Sequence, residues 1–117
     1  MSEALDTERR WRALHRYARI SPFKARLVMD LIRGLPCDAA LDALRFNHRR
    51  ASGMIADVLK SAMANADEGE ADMGRLYVAA ARVDGGPYFR RWRPKDRGRA
   101  HPIAKRTSHL VVEVAEA

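Results

Sequence analysis

The sequence predicts an α+β domain: three helices packed on a small antiparallel sheet, with a long protruding basic β-hairpin. Three observations lead there. Apolar residues recur at helical spacing in three stretches between Ser21 and Ala66. Two strand-like runs follow, Leu76-Tyr77-Val78 up to Val83 and Leu110-Val111-Val112 up to Val114. Between those runs lies a turn-rich segment dense in Arg and Lys.

With 117 residues, the chain has the length of one domain with a modest core. Residues 1–12 are mixed in charge, with Leu5 and Trp11 as their only anchors, and read as a frayed or weakly helical N-terminal extension. The single domain then covers 13–117. Trp11 to Ile20 alternates loosely and suits a short strand. Ser21 to Gly34 reads as a helix: Ser21 suits the cap, Pro22 the first position, and Gly34 the position after the end. Phe23, Leu27 and Leu31 form its apolar stripe, widened by Val28 and Ile32. Pro36 opens a second helix to about Phe46, with Ala40, Leu41 and Leu44 inward. Asn47 to Arg50 is a polar break. A third helix from about Arg49 to Ala66 carries Ala51, Met54, Ile55, Val58, Leu59, Ala62, Met63 and Ala66 on one face. Lys60, Ser61 and Asn65 lie off that face, free to meet a partner. Asp67 to Gly74 is an acidic loop.

The charge is unevenly placed. Residues 82–109 hold nine Lys/Arg and two Asp, a net +7 that equals the formal charge of the whole chain. Gly85, Gly86, Pro87, Pro94, Gly98 and Pro102 exclude a helix there. The flanking strands make it a hairpin at about 82–109, with its tip near Pro94 to Gly98. Arg90, Arg91, Arg93, Arg97 and Arg99 are interleaved with Tyr88, Phe89 and Trp92. Guanidinium groups neutralise phosphates, and aromatic planes stack on unpaired bases, so the expected partner is a nucleic acid. The distal arm has too few apolar residues for its own core and is expected to order on binding. Lys24 and Arg26 sit where the helix dipole disfavours cations, unless a phosphate binds that helix start; both residues being merely solvated is the alternative.

Other chemistry finds little support. Cys37 is the only cysteine, which excludes an intramolecular disulfide and suits a small buried hydrophobe. His15, His48, His101 and His109 lack metal-ligand spacing, and no cofactor is expected. Ser108 and His109 are strand neighbours on opposite faces and cannot form a dyad. No catalytic site is expected. No apolar run reaches the length of a membrane span. The charged N-terminus excludes a signal peptide, and its acids fit a transit peptide poorly, which favours a bacterial, cytoplasmic protein.

Several motifs together resemble the L-twenty-two family of bacterial large-subunit ribosomal proteins. Ile20-Ser21-Pro22, Lys24, Arg26-Leu27-Val28 and Ile32-Arg33-Gly34 are similar to its first helix. Leu59-Lys60-Ser61-Ala62 with Asn65-Ala66 resembles its third. Val83-Asp84, Gly86-Pro87, Arg90-Arg91, Arg93-Pro94, Gly98-Arg99-Ala100, Ile103 and Lys105 to His109 resemble its hairpin. The resemblance implies a structural protein that binds large-subunit ribosomal RNA, aids assembly, touches neighbouring ribosomal proteins and lines the nascent-peptide exit tunnel with its hairpin tip. It implies RNA contacts at Ser21, Lys24, Arg26 and Lys60, along Arg90, Arg91, Arg93, Arg97 and Arg99, and at Lys105, Arg106, Thr107 and His109. It implies a tunnel-facing tip of Arg91, Trp92, Arg93, Pro94, Lys95, Asp96, Arg97 and Gly98, passed by the nascent polypeptide. Lys95-Asp96 departs from the family's usual Arg-Ala, so Asp96 is expected to face tunnel solvent or to pair with Arg97. His101-Pro102 departs too, and Pro102 is expected to interrupt strand pairing. Two other readings remain at this point: a DNA architectural protein with a basic β-arm and Pro94 as a wedge, and a module that binds acidic proteins.

Overall fold

The structure, a computed structural model, describes residues 9–87, 89–95 and 99–117, with side chains described for 9–87 and 106–117. Strand β1 (Arg10–Ala18) leads to helices α1 (Pro22–Ile32), α2 (Cys37–Arg45) and α3 (Arg50–Glu68). A 3-10 turn at Met73–Arg75 precedes β2 (Leu76–Gly85), β3 (Phe89–Lys95), β4 (Arg99–Lys105) and β5 (Ser108–Glu116). Among the described residues, the three helices pack on a three-stranded antiparallel sheet of order β1-β5-β2. Strands β3 and β4 form a separate two-stranded ribbon.

The last strand holds the centre. β5 pairs with β1 from Arg10↔Ala115 and with β2 from Leu76↔Glu116. Its Leu110, Val112, Val114 and Ala115 are fully buried. α3 brings Ala51, Ile55, Val58, Leu59, Ala62 and Ala66 into the same core, as its periodicity predicts. Each fully buried Ile or Leu contributes about 1.5–3 kcal/mol.

Two expectations need correction. In α1 the buried residues are Ala25, Val28, Met29 and Ile32, whereas Phe23 (69%), Leu27 (41%) and Leu31 (50%) are exposed. Apolar residues nearly encircle this helix, and the face with small Ala25 allows close packing on β2. Pro102 does not interrupt pairing: the register runs unbroken from Phe89↔Lys105 to Lys95↔Arg99. Pro94 pairs with Ala100 and Pro102 with Trp92, positions of the same alternate class. Alternate residues of an antiparallel strand turn N–H away from the partner, so prolines of one class leave the ladder intact.

β1 begins at Arg10, inside the stretch read as an extension. Arg9 explains the early start: it donates to the Gly69 carbonyl at 3.0 Å, pairs with Glu116 at 3.0 Å, and covers the Trp11 ring at 5.0 Å. Trp11 in turn lies so close to Gly69 that a Cβ there would sit 2.6 Å from the indole nitrogen.

The outer edge of β2 is closed. Gly34 N–H donates to the Val78 carbonyl (2.9 Å), and Val78 N–H donates to the Leu35 carbonyl (2.8 Å). Further along, Arg33 donates twice to the Ala81 carbonyl (3.1 and 2.6 Å), and Arg26 twice to the Val83 carbonyl (3.3 and 3.0 Å). These bonds use the edge carbonyls that would otherwise invite another strand.

Cys37 is buried, and burial, then the charge of Asp38, pushes its thiol up from 9.0 to about 11. Ionisation therefore costs more in the folded state. The stability gained by keeping the thiol neutral is complete below pH 9 and lost as pH rises through about 11. Compared with Cys37→Ala, the wild-type urea midpoint should fall across that range. Native protein at pH 8 should also resist an aromatic disulfide reagent; rapid stoichiometric labelling would contradict this.

Candidate nucleic-acid interface

The site begins where β1 hands over to α1. Ile20 N–H donates to the Ala18 carbonyl at 2.9 Å, and Ser108 Oγ donates to the Ile20 carbonyl at 2.6 Å. These bonds fix the turn before α1 against the base of β5. Ser21 is the N-cap by backbone geometry (φ −65°, ψ 134°), yet its side chain makes no capping bond. The first turn of α1 carries no acid. Its orphan N–H groups lack both usual protein solutions, a capping side chain and a nearby carboxylate.

α3 starts the same way. Arg49 is its N-cap, with no side-chain capping bond and no acid in the first turn. Asn47 shapes the turn instead: its Oδ1 accepts from Arg49 N–H (2.9 Å) and Ser52 Oγ (2.8 Å).

Both helix starts line one cavity of about 710 Å³, bounded by Arg19, Ile20, Ser21, Lys24, Arg49, Arg50, Ala51 and Arg106. Five of these eight residues are cations and none is an acid. Two positive helix ends and five cations around one hollow suit a phosphate group.

The residues expected from the sequence divide here. Ser21, Lys24 and Arg106 come together at the cavity. Lys60 lines a second groove, between α2 and α3. Arg26 instead holds the β2 edge. Thr107 is buried and donates its Oγ1 to the Pro87 carbonyl at 2.8 Å, across the base of the hairpin. Gly86 permits that approach, since a Cβ there would collide with Thr107 Oγ1. His109 accepts at Nδ1 from Tyr17 N–H (3.1 Å), and its ring meets Tyr17 edge-on at 4.9 Å. That bond supports Tyr17 in the left-handed region (φ 58°), at the irregularity in β1.

The side chains of Arg90, Arg91, Trp92, Arg93, Pro94, Lys95, Arg99 and Lys105 lie outside the described side chains. Asp96, Arg97 and Gly98 lie outside the described residues altogether. Sequence reasoning passed over Arg19, Arg49 and Arg50. The available signal was a basic pair opening a helix with no acid in its first turn.

A family model described as Ribosomal protein L22p/L17e matches residues 13–115. The chain is 52% identical over 106 residues to the Large ribosomal subunit protein uL22 of Thermoanaerobacter pseudethanolicus, spanning 90% of this chain and 96% of that protein. It is 47% identical over 104 residues to the protein of the same name from Magnetococcus marinus, spanning 88% and 92%.

A cation at a helix start destabilises the free protein, and an anion in its place stabilises it. Arg50→Glu should therefore raise low-salt thermal stability by about 0.5–1 kcal/mol while weakening binding to large-subunit RNA. A variant that melts earlier and binds RNA as before would contradict this reading of the cavity.

Proposed function

The chain belongs to the Ribosomal protein L22p/L17e family, and from that premise we propose that it is a structural, non-catalytic constituent of the large ribosomal subunit. In this reading it works in the cytoplasmic ribosome, binds large-subunit RNA, aids the folding of that RNA, and touches neighbouring large-subunit proteins. Its hairpin tip lines the tunnel through which the nascent polypeptide leaves.

The cavity lined by five cations and two helix starts carries the proposal. It offers phosphate a site on the body, apart from the arm. Residues 13–117 then act as one domain with two RNA-facing parts. Ser21, Lys24 and Arg106 meet RNA at the cavity, joined by Arg19, Arg49 and Arg50. Arg90, Arg91, Arg93, Arg97, Arg99 and Lys105 meet it along the arm. Arg26, Thr107 and His109 brace the sheet and the hairpin base through their bonds to Val83, Pro87 and Tyr17. No observation on the body favours duplex DNA or an acidic protein over RNA.

Ultraviolet crosslinking of the tagged protein in growing cells should recover a few large-subunit RNA segments, in a manner dependent on Arg90 to Arg99. Reads scattered over the chromosome or many messages would overturn the reading. In vitro, neutralising about six phosphates gives a slope of log affinity against log salt of about −4 to −5. A slope near −1 would exclude the phosphate-neutralising arm.

A further inference from the structure

Phe46 is the most exposed large hydrophobic side chain among the described residues, at 83%. It is the C-cap of α2, directly between Arg45 and Asn47, two residues that line the groove between α2 and α3. That groove has a volume of about 370 Å³. Arg45, Arg49 and Lys60 supply its charge, Leu41 and Leu44 are among its apolar lining residues, and no carboxylate borders it. Arg49 also lines the cavity at the two helix starts, so one arginine borders both cavity and groove.

The chain around the ring is fixed. Phe46 N–H donates to the Asp42 carbonyl at 3.2 Å, and Asn47 N–H donates to the Leu44 carbonyl at 3.3 Å. Asn47 Oδ1 then ties the turn to α3 through Arg49 N–H and Ser52 Oγ. A ring on a braced turn beside cations gains little from solvent exposure. It suits the combination that single-stranded nucleic acid offers, phosphates for the cations and a base face for the ring.

We infer that the α2–α3 groove takes an unpaired RNA segment, with one base stacked on Phe46 and its neighbouring phosphates held by Arg45, Arg49 and Lys60. The inference rests on the RNA-binding reading above and extends it to a specific form of RNA. An apolar protein partner would call for a contiguous greasy patch, whereas this ring stands beside a groove charged for a polyanion.

The test uses the full chain and deproteinised large-subunit RNA at several salt concentrations. Phe46→Leu keeps the apolar bulk and removes the ring, Phe46→Trp keeps a ring, and Arg49→Gln removes one phosphate partner. Phe46→Leu should weaken binding about 5- to 100-fold without changing the salt slope, and Phe46→Trp should restore it. Arg49→Gln should weaken binding and make the slope shallower by about 1. Exposure of Phe46 means that its variants should melt as wild type does. Wild-type affinity in Phe46→Leu overturns the stacking role. If Arg49→Gln still weakens binding in that case, the stacking inference fails while RNA binding by the body survives. If neither variant weakens binding, RNA binding by the body fails as well.

Discussion

Five cations line one cavity whose eight lining residues include no acid, and this concentration of positive charge organises the account of the body. Like charges within a Debye length of ~8 Å repel appreciably at physiological salt. Two helix starts add their own positive ends to the same hollow. A protein under selection for stability alone would place Asp or Glu at Lys24, Arg49 or Arg50. The electrostatic cost is relieved when a polyanion enters, so binding and folding stability are linked at one place.

The rest of the fold supplies rigidity behind that surface. β5 lies between β1 and β2, and its Ser108 pins the turn that opens α1. Arg26 and Arg33 close the β2 edge up to Val83, next to the point where the chain leaves for the arm. Thr107 and Gly86 then join the two arms of the hairpin where the three-stranded sheet gives way to the β3–β4 ribbon. The charged surface thus rests on backbone that is bonded from several sides, and an ordered surface loses less entropy on binding.

Much of this was legible in the sequence, and the failures have physical causes. The order of helices and strands followed from apolar spacing and from punctuation by Pro22, Gly34 and Pro36. α3 was read almost residue by residue because its apolar face is single and continuous. α1 was misread because two apolar faces compete, and only the packing partner selects between Phe23-Leu27-Leu31 and Ala25-Val28-Met29-Ile32. Pro102 was expected to break pairing because its register class could not be known before its partner, Trp92. Lys24 and Arg106 were named as RNA contacts, but their meeting with Arg49 and Arg50 depends on how the fold brings together two helix starts, at Pro22 and Arg50, and the strand base at Arg106. Thr107 looked like a surface contact but is buried, and its bond to the Pro87 carbonyl, like that of the exposed Arg26 to Val83, is tertiary and leaves no mark in local sequence.

The central claim concerns the amides that open α1 and α3. Hydrogen exchange should be compared at residues 23–24 and 50–51, in the free chain and in its complex with large-subunit RNA. The account predicts clear slowing at both helix starts on binding, together with the arm. Protection confined to the hairpin, with both helix starts exchanging as in the free protein, would contradict it.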